Sequence, residues 1–482
     1  MINNSPYIQS PAYNAARFNY KDQQRTAYLG DADFLIEDEL LLIQARSRHI
    51  HRNNGLIQGA ESKFVAKLKA VSVLFYNAEG KKHALAQELW DELAAKITLD
   101  GKGNFSTLQA TLNHDRLQSG EAFVRMVVVA PNTDDVRIPL RLQSIESEYC
   151  DIKFNGAGAK EPDPDLYKTT RYGITFDVTT NKPKFYWFHT QRYFGHHLQE
   201  DKPWIYQKVA AEDMCHIFER RRSNQWRGVP VIAAILQDIY GLEDLTDATI
   251  AQQTSAAAIS WIVERGNGSV LPPSSLGSAT TGMSQETLAK LHFIATGGQV
   301  QYTNPGETFK LVQSSDIGSN LIAMLQYVIQ TISTTYGLPY YMLSGNTDGL
   351  DFSSIRAVLL EFKDYLEYLY TFLIVPDLVE KVITRFKLLA KMQGFDLTDA
   401  KPVYRFPKFY GIDELKDTQA LLLEMQTGGL TIQRRLRESD ITEEEYLEHI
   451  KFCKDNGIET LYNVKVDTTA NNTQAQKSST SN

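Results

Sequence analysis

The chain has 482 residues, enough for two or three domains with sizeable cores. Its 43% hydrophobic and 22% charged content is ordinary for a soluble globular protein, and a net charge of -8 argues against a general nucleic-acid coat, which needs a basic surface. Cys150, Cys215 and Cys453 lie far apart without a CxxC pair, so no disulfide framework is expected and a reducing compartment is.

No apolar run approaches the ~18 residues of a membrane span, and Met-Ile-Asn-Asn-Ser-Pro has no signal-peptide pattern. Residues 1–40 read as a polar, aromatic N-terminal arm carrying Tyr7, Tyr13, Phe18, Tyr20 and Tyr28, either disordered or ordered on a neighbour. The pattern then predicts helix from Asp33 to Leu68, a strand over Ala70 to Phe75, and helices over Lys82 to Ile97 and Asn104 to Ser119. His49 and His51 point apart on a helix, so no metal site is expected there. From Gly120 the pattern turns to strands: Glu121 to Val129, Asp135 to Glu146, Tyr172 to Val178 and Lys184 to Thr190, with a hairpin turn at Asn181-Lys-Pro183. Glu161-Pro-Asp-Pro-Asp165 fits no calcium loop and reads as a solvated turn, and His196-His197 as surface.

A basic cluster, Arg220, Arg221, Arg222 and Arg227, precedes Pro230, a favoured first helical position. It reads as a site of subunit or domain contacts, with nucleic-acid binding as the other possibility. Helix over Val231 to Tyr240 runs on past Gly241 into an Ala-rich stretch, Asp247 to Val263. Residues 265–310 are rich in Gly and Pro. A second long helix follows over Ser315 to Tyr336, with one buried stripe at Ile317, Leu321, Met324, Leu325, Val328, Ile329 and Ile332. Gly337-Leu338-Pro339 stops it, a turn-forming loop runs from Ser344 to Asp351, and Asp351 or Ser353 caps the next helix. Pro376 restarts that helix and Gly394 ends it. Beyond lie an extended stretch over Lys401 to Phe409, helices from Asp413 and after Gly429, a helix start at Thr442-Glu-Glu-Glu445, and a polar tail, 467–482, expected to be disordered.

One residue type is missing twice. Neither Gly228 to Glu264 nor Leu311 to Ile355 contains Lys, Arg or His, although Lys and Arg together number 50 in the chain. Both stretches carry carboxylates, among them Asp244, Asp247, Asp316, Asp348 and Asp351. A surface past which a polyanion slides should lack cations, because each Lys–phosphate contact adds affinity and so friction. Buried helices of a larger core would also explain the gaps.

Catalytic patterns are missing as well. Gly101-Lys102-Gly103 lacks the long phosphate loop, and no GxSxG, HExxH or SxxK set occurs. No enzyme, cofactor or metal is expected; the alternatives are a metal-dependent nuclease built on scattered carboxylates and a monomeric scaffold or adaptor.

Over roughly residues 40–460 the sequence resembles the lambda-like family of tailed-bacteriophage portal proteins. The resemblance rests on Arg46-x-Arg48 with Arg52-Asn53-Asn54, and on Arg222-x-x-Gln225-x-Arg227-Gly228-Val229-Pro230. Asn304-Pro305-Gly306-Glu307, Tyr336-Gly337-Leu338-Pro339, Phe352-Ser353-Ser354-x-Arg356, Ile412-Asp413-x-x-Lys416 and the region from Gly428-Gly429-Leu430 to Thr442-Glu443-Glu444 extend it. Phe352 departs from the tyrosine common at that place and carries no hydroxyl.

The resemblance implies an α+β, mainly helical portal fold of wing, stem, clip and crown. The wing would comprise 41–241 and the long helix 353–394, and the stem helices 242–264 and 313–336 would flank a clip at 265–312. The tunnel loop would lie in 337–352 and the crown in 395–466. A dodecameric ring at one capsid vertex of the virion, assembled in the host cytoplasm, would pass double-stranded DNA in packaging and ejection. Its partners would be the terminase large subunit, major capsid and scaffolding proteins and a head–tail adaptor, with no membrane. Ser344, Asn346, Thr347, Asp348 and Asp351 would meet DNA, and Asp244, Asp247 and Asp316 would line the channel.

Overall fold

The computed structural model describes residues 30–130, 136–156, 169–189, 206–258, 262–263, 301–302, 317–347, 349, 351–407, 419–420, 422–425, 427, 431 and 443–456. The first predicted helical stretch is three helices: α1 (Ala32–Ile36), α2 (Leu40–Asn53) and α3 (Gly55–Leu68). The break between α2 and α3 is local chemistry. Asn54 leaves the helical region, and its side-chain oxygen accepts from the amides of Leu56 and Ile57, capping α3. Asn104 likewise starts α5 (Phe105–Ser119) with a reciprocal capping box to Thr107, after α4 (Ala84–Ala95).

Strands β1 (Ser72–Tyr76) and β11 (Lys401–Arg405) pair antiparallel, with Ser72 opposite Arg405. A second sheet has the order β3–β2–β8, from β2 (Glu121–Val128), β3 (Leu140–Ile145) and β8 (Met214–Phe218). A third runs β4–β5–β6–β7, from β4 (Thr170–Arg171), β5 (Ile174–Phe176), β6 (Pro183–His189) and β7 (Tyr206–Ala210). Between β5 and β6 the chain turns through Asn181, at φ +53, as the expected hairpin requires. Strands β7 and β8 were not expected. Tyr206–Ala210 is half polar, and Met214–Phe218 is nearly all buried, so neither carries a clean alternation.

The two-residue side-chain period of β2 and β8 joins two cores. Val124, Met126, Cys215 and Ile217 face the helices, while Phe123 and Met214 face β5 and β6 with Ile174, Phe176, Tyr186 and Phe188. In the helical core, Trp90 meets Phe105 at 5.2 Å and Phe386 at 5.5 Å, both edge-on.

The long helix that follows the loop does not restart at Pro376. Helix α9 (Phe352–Leu369) passes through a π-helical segment, Tyr370–Val379, into α10 (Glu380–Met392) without a break. Proline cannot give an N–H to the α-helical ladder, and the wider π turn accommodates it inside a continuous rod. Helix α11 (Glu443–Asp455) follows the predicted acidic start. The expected solvated turn 161–165, His196-His197, most of 265–312, and the tail 467–482 lie outside the described residues.

Candidate channel-lining helices and their anchors

The two cation-free stretches form helices α6 (Leu236–Ala258), entered through a 3-10 turn at Val231–Ile235, and α7 (Ile317–Tyr336). They pack on each other, and α7 also rests on α3 and the 3-10 turn. Short strands β9 (Ile262–Val263) and β10 (Gln301–Tyr302) pair in parallel beyond α6. Leu236, Ile239 and Leu242 are the buried stripe of α6, leaving Asp238, Asp244 and Asp247 exposed. Asp244 and Asp247, three apart, are neighbours on the helix surface. Glu243 is held differently: Asn54 donates to its Oε1 at 2.8 Å. Asp316 lies outside the described residues.

Among the described side chains of the expected α7 stripe, Val328 and Ile332 are buried, and Tyr336 is buried at the end of the helix. Met324 belongs to that stripe yet is exposed, beside Ile322 at 56% and Tyr327 at 64% exposure. Helical spacing reports an apolar face, but it does not say which chain covers it.

At its C-terminal end α7 is fastened by a polar chain that isolated motifs did not suggest. The Tyr336 hydroxyl is 2.7 Å from His51 Nε2, and His51 Nδ1 is 2.8 Å from the Ser47 carbonyl. A carbonyl only accepts, so Nδ1 carries the hydrogen and Nε2 accepts from Tyr336. Glu61, on α3, lies 3.8 Å from the same Nε2 through its Oε2, while its Oε1 accepts from His114 at 2.6 Å and Gln118 at 2.7 Å. Burial lowers the His51 pKa, against the pull of the Ser47 carbonyl and Glu61. Burial, the largest influence, would raise that of Glu61, but the His114 and Gln118 bonds together with the charges of His51 and His114 hold it below its ordinary value. The bond to Glu61 raises His114.

After Gly337, whose φ of +69 sets it against the Tyr365 ring, α8 (Tyr340–Ser344) leads into the loop. A cation from elsewhere does reach this region: Lys63 Nζ donates to the Met342 carbonyl. Ser344 accepts from the Asn346 amide at 3.1 Å, and Asn346 and Thr347 are exposed. Asp351 is the cap of α9, accepting from the Ser354 amide and the Ser353 hydroxyl, each at 2.9 Å. Bonds from Ser354 and then Ser353 lower its pKa, so it is a firm anion. Asp348 lies outside the described residues.

The four arginines separate into two kinds. Arg220, Arg221 and Arg222 are exposed; Arg220 lies over the Trp226 ring, Arg221 pairs with Glu219 at 3.3 Å, and Arg222 donates to the Gly30 carbonyl at 2.9 Å. Asp31, Ala32, Arg221, Arg222, Ser223 and Asn224 line a cleft of about 380 Å³. Arg227 is 1% exposed and enclosed by its own chain, so no surface of its side chain is left for a neighbouring subunit. Its guanidinium grips Glu121 from two nitrogens and donates to the Tyr172 carbonyl. Glu121 also accepts from the Gly228 amide at 2.9 Å and contacts His216 Nε2 at 3.0 Å. Burial opposes its ionisation, yet Arg227 and His216 hold its pKa at about 2.

Residues from the C-terminal end of the expected arm join this cluster. Asp33 of α1 is buried, accepting from the amides of Trp226 and Arg227 at 2.8 and 3.0 Å, while Gln225 bonds the Arg221 amide and the Arg227 carbonyl. The Arg222-to-Pro230 motif is therefore a folded knot tying α1, β2 and the entry to α6. Glu121, Asp33, His51 and Glu61 carried no sequence signal of their own. Among the described residues, no three His, Cys, Asp or Glu side chains converge as a metal site would, and no helix is long and apolar enough to cross a membrane.

The described chain thus belongs to the mixed helix-and-strand class, built around an acid-bearing, cation-free helix pair. The family described as phage portal protein, lambda family, matches residues 20–369. A probable portal protein of Halomonas phage phiHAP-1 is 22% identical over 367 residues, covering 73% of this chain and 67% of that protein. Two solved particles are similar at 13% identity: the neck of a native gene transfer agent particle computed with C12 symmetry, and the virion of such a particle. The first covers 81% of this chain and 92% of that one with a TM-score of 0.44; the second covers 83% and 92% with 0.42. The chain belongs to the lambda family of phage portal proteins.

Proposed function

We propose that this portal protein works as a closed dodecameric ring at one vertex of the capsid, through which double-stranded DNA enters during packaging and leaves into the tail. The carrying observation is the pair of packed helices α6 and α7, which have no Lys, Arg or His along their length and hold Asp244 and Asp247 to solvent. Repeated around an axis by a heterologous interface that closes, such carboxylates add to a negative wall that DNA does not grip. In this reading 242–264 and 313–336 are the stem with Asp316 on its wall, 265–312 the clip, and 395–466 the crown. The loop with Ser344, Asn346, Thr347, Asp348 and Asp351 meets DNA. Residues 41–241 and 353–394 form the wing, and Arg220, Arg221 and Arg222 face a neighbouring copy.

The partners are the terminase large subunit, major capsid and scaffolding proteins, and a head–tail adaptor, with assembly in the host cytoplasm. The chain acts as a conduit and not as an enzyme. Native mass measurement with electron microscopy tests the reading: a dodecamer of 54.6 kDa subunits with an axial hole supports it. A monomer or dimer that cleaves DNA with a metal would replace it with the nuclease reading, and a monomer without cleavage with the scaffold reading.

A further inference from the structure

The junction of α7 with the wing places His51 Nε2 between two different partners. The Tyr336 hydroxyl is at 2.7 Å and the Glu61 carboxylate oxygen Oε2 at 3.8 Å. Both bonds that Glu61 receives from α5, from His114 and Gln118, land on Oε1, so Oε2 is the oxygen turned toward His51. Tyr336 is fully buried, and it is the last residue of α7 before Gly337 and the turn that leads to 344–351.

We propose that His51 is a proton-operated latch on the loop-bearing end of α7. Neutral, it accepts the Tyr336 hydrogen bond and fastens the helix; protonated, it donates from Nε2 to Glu61 and lets the helix end go. The proton decides because it converts Nε2 from an acceptor into a donor while Nδ1 stays committed to the Ser47 carbonyl. The Tyr336 oxygen can still accept from Nε2–H, but its own O–H loses the acceptor it had, and the buried carboxylate of Glu61 attracts the cationic ring more strongly than a neutral hydroxyl does.

The titratable groups facing His51 are Glu61 from α3, His114 from α5 and Tyr336 from α7; the 3-10 turn Val231–Ile235 brings none. Glu61 draws a proton onto His51, and the positive charge on His114 opposes it. Burial lowers His51 further, which puts release on the acidic side of the ordinary imidazole value, 6.5. The latch concerns how α7 is fastened and stands whether or not the loop meets DNA.

Hydrogen–deuterium exchange of the full-length protein, corrected for the intrinsic effect of pH on exchange, reads the latch directly. In the wild type, protection of the peptide spanning 333–343 should fall about tenfold between pH 7.5 and pH 5, the scale of one hydrogen bond, while β2 stays protected. His51→Gln can make both neutral-state bonds but cannot take a proton, so its protection should be high and flat. Tyr336→Phe should exchange fast at both pH values. Unchanged wild-type protection, or a His51→Gln profile that follows the wild type, overturns the proposal. If a variant does not fold, the wild-type profile alone decides.

Discussion

Arg227 Nη2 donates to Glu121 Oε1 at 2.6 Å, and both side chains are shut away from solvent. A charge pair this deep stands only because its remaining valences are used, by the Tyr172 carbonyl, the Gly228 amide and His216. Removing one partner strands the other. Glu121→Gln should lower stability by roughly 3–5 kcal/mol.

Its pH dependence has a definite sign. The folded Glu121 pKa, about 2, lies below its model-compound value of 4.5, so the carboxylate stabilises the fold above pH 4.5 and that contribution fades as pH falls toward 2. Chemical denaturation at stepped pH should show the gap between wild type and Glu121→Gln constant above pH 4.5 and closing below it.

Gly120 ends α5 at φ +89 and lies against the backbone of Val229 and Pro230, while Gly228 lies against the Gly120 carbonyl. A methyl group at either place drives into main chain, which cannot swing aside. Gly120→Ala should cost at least roughly 2 kcal/mol, from the left-handed backbone and the overlap together. A fall in the thermal midpoint would show it, and an unchanged midpoint would mean that the two loops separate freely.

Asn54 does two jobs at once, capping α3 and donating to Glu243 on the acidic helix α6. Asn54→Ala removes both and should lose roughly 1–2 kcal/mol. Asn54→Asp keeps the cap but sets a like charge against Glu243, so its deficit should shrink as pH drops below the carboxylate range. Parallel melts of the two variants separate these contributions.

Asp351 allows its charge and its capping role to be pulled apart. Asn caps nearly as well as Asp, so Asp351→Asn should leave the start of α9 intact by exchange protection. Lysine at both 348 and 351 should slow or stall DNA packaging with rings still forming; normal packaging would place the loop away from DNA.

Much of this fold is legible from local pattern. The caps at Asn104 and Asp351, the hairpin at Asn181 and the two cation-free rods follow from short-range chemistry that a single chain displays. What stayed hidden depends on distance. Glu121 looks like any strand residue until Arg227 meets it, and His51 like any surface imidazole until α7 arrives. The same limit applies to Arg227, which reads as one more arginine of an exposed cluster, although its neighbours are solvated and it is not. The strand β8 is not legible from pattern, because burial on both faces erases alternation.

The ribbon of β1 with β11 has a consequence for how the chain is made. Ser72 finds Arg405 only after everything between them has left the ribosome, so the edge of β1 waits unpaired through most of synthesis. A nascent chain arrested before residue 401 would carry an open edge beside an unfinished core. Completion of this chain is therefore a late event, and premature termination should yield aggregates, not shortened soluble chains.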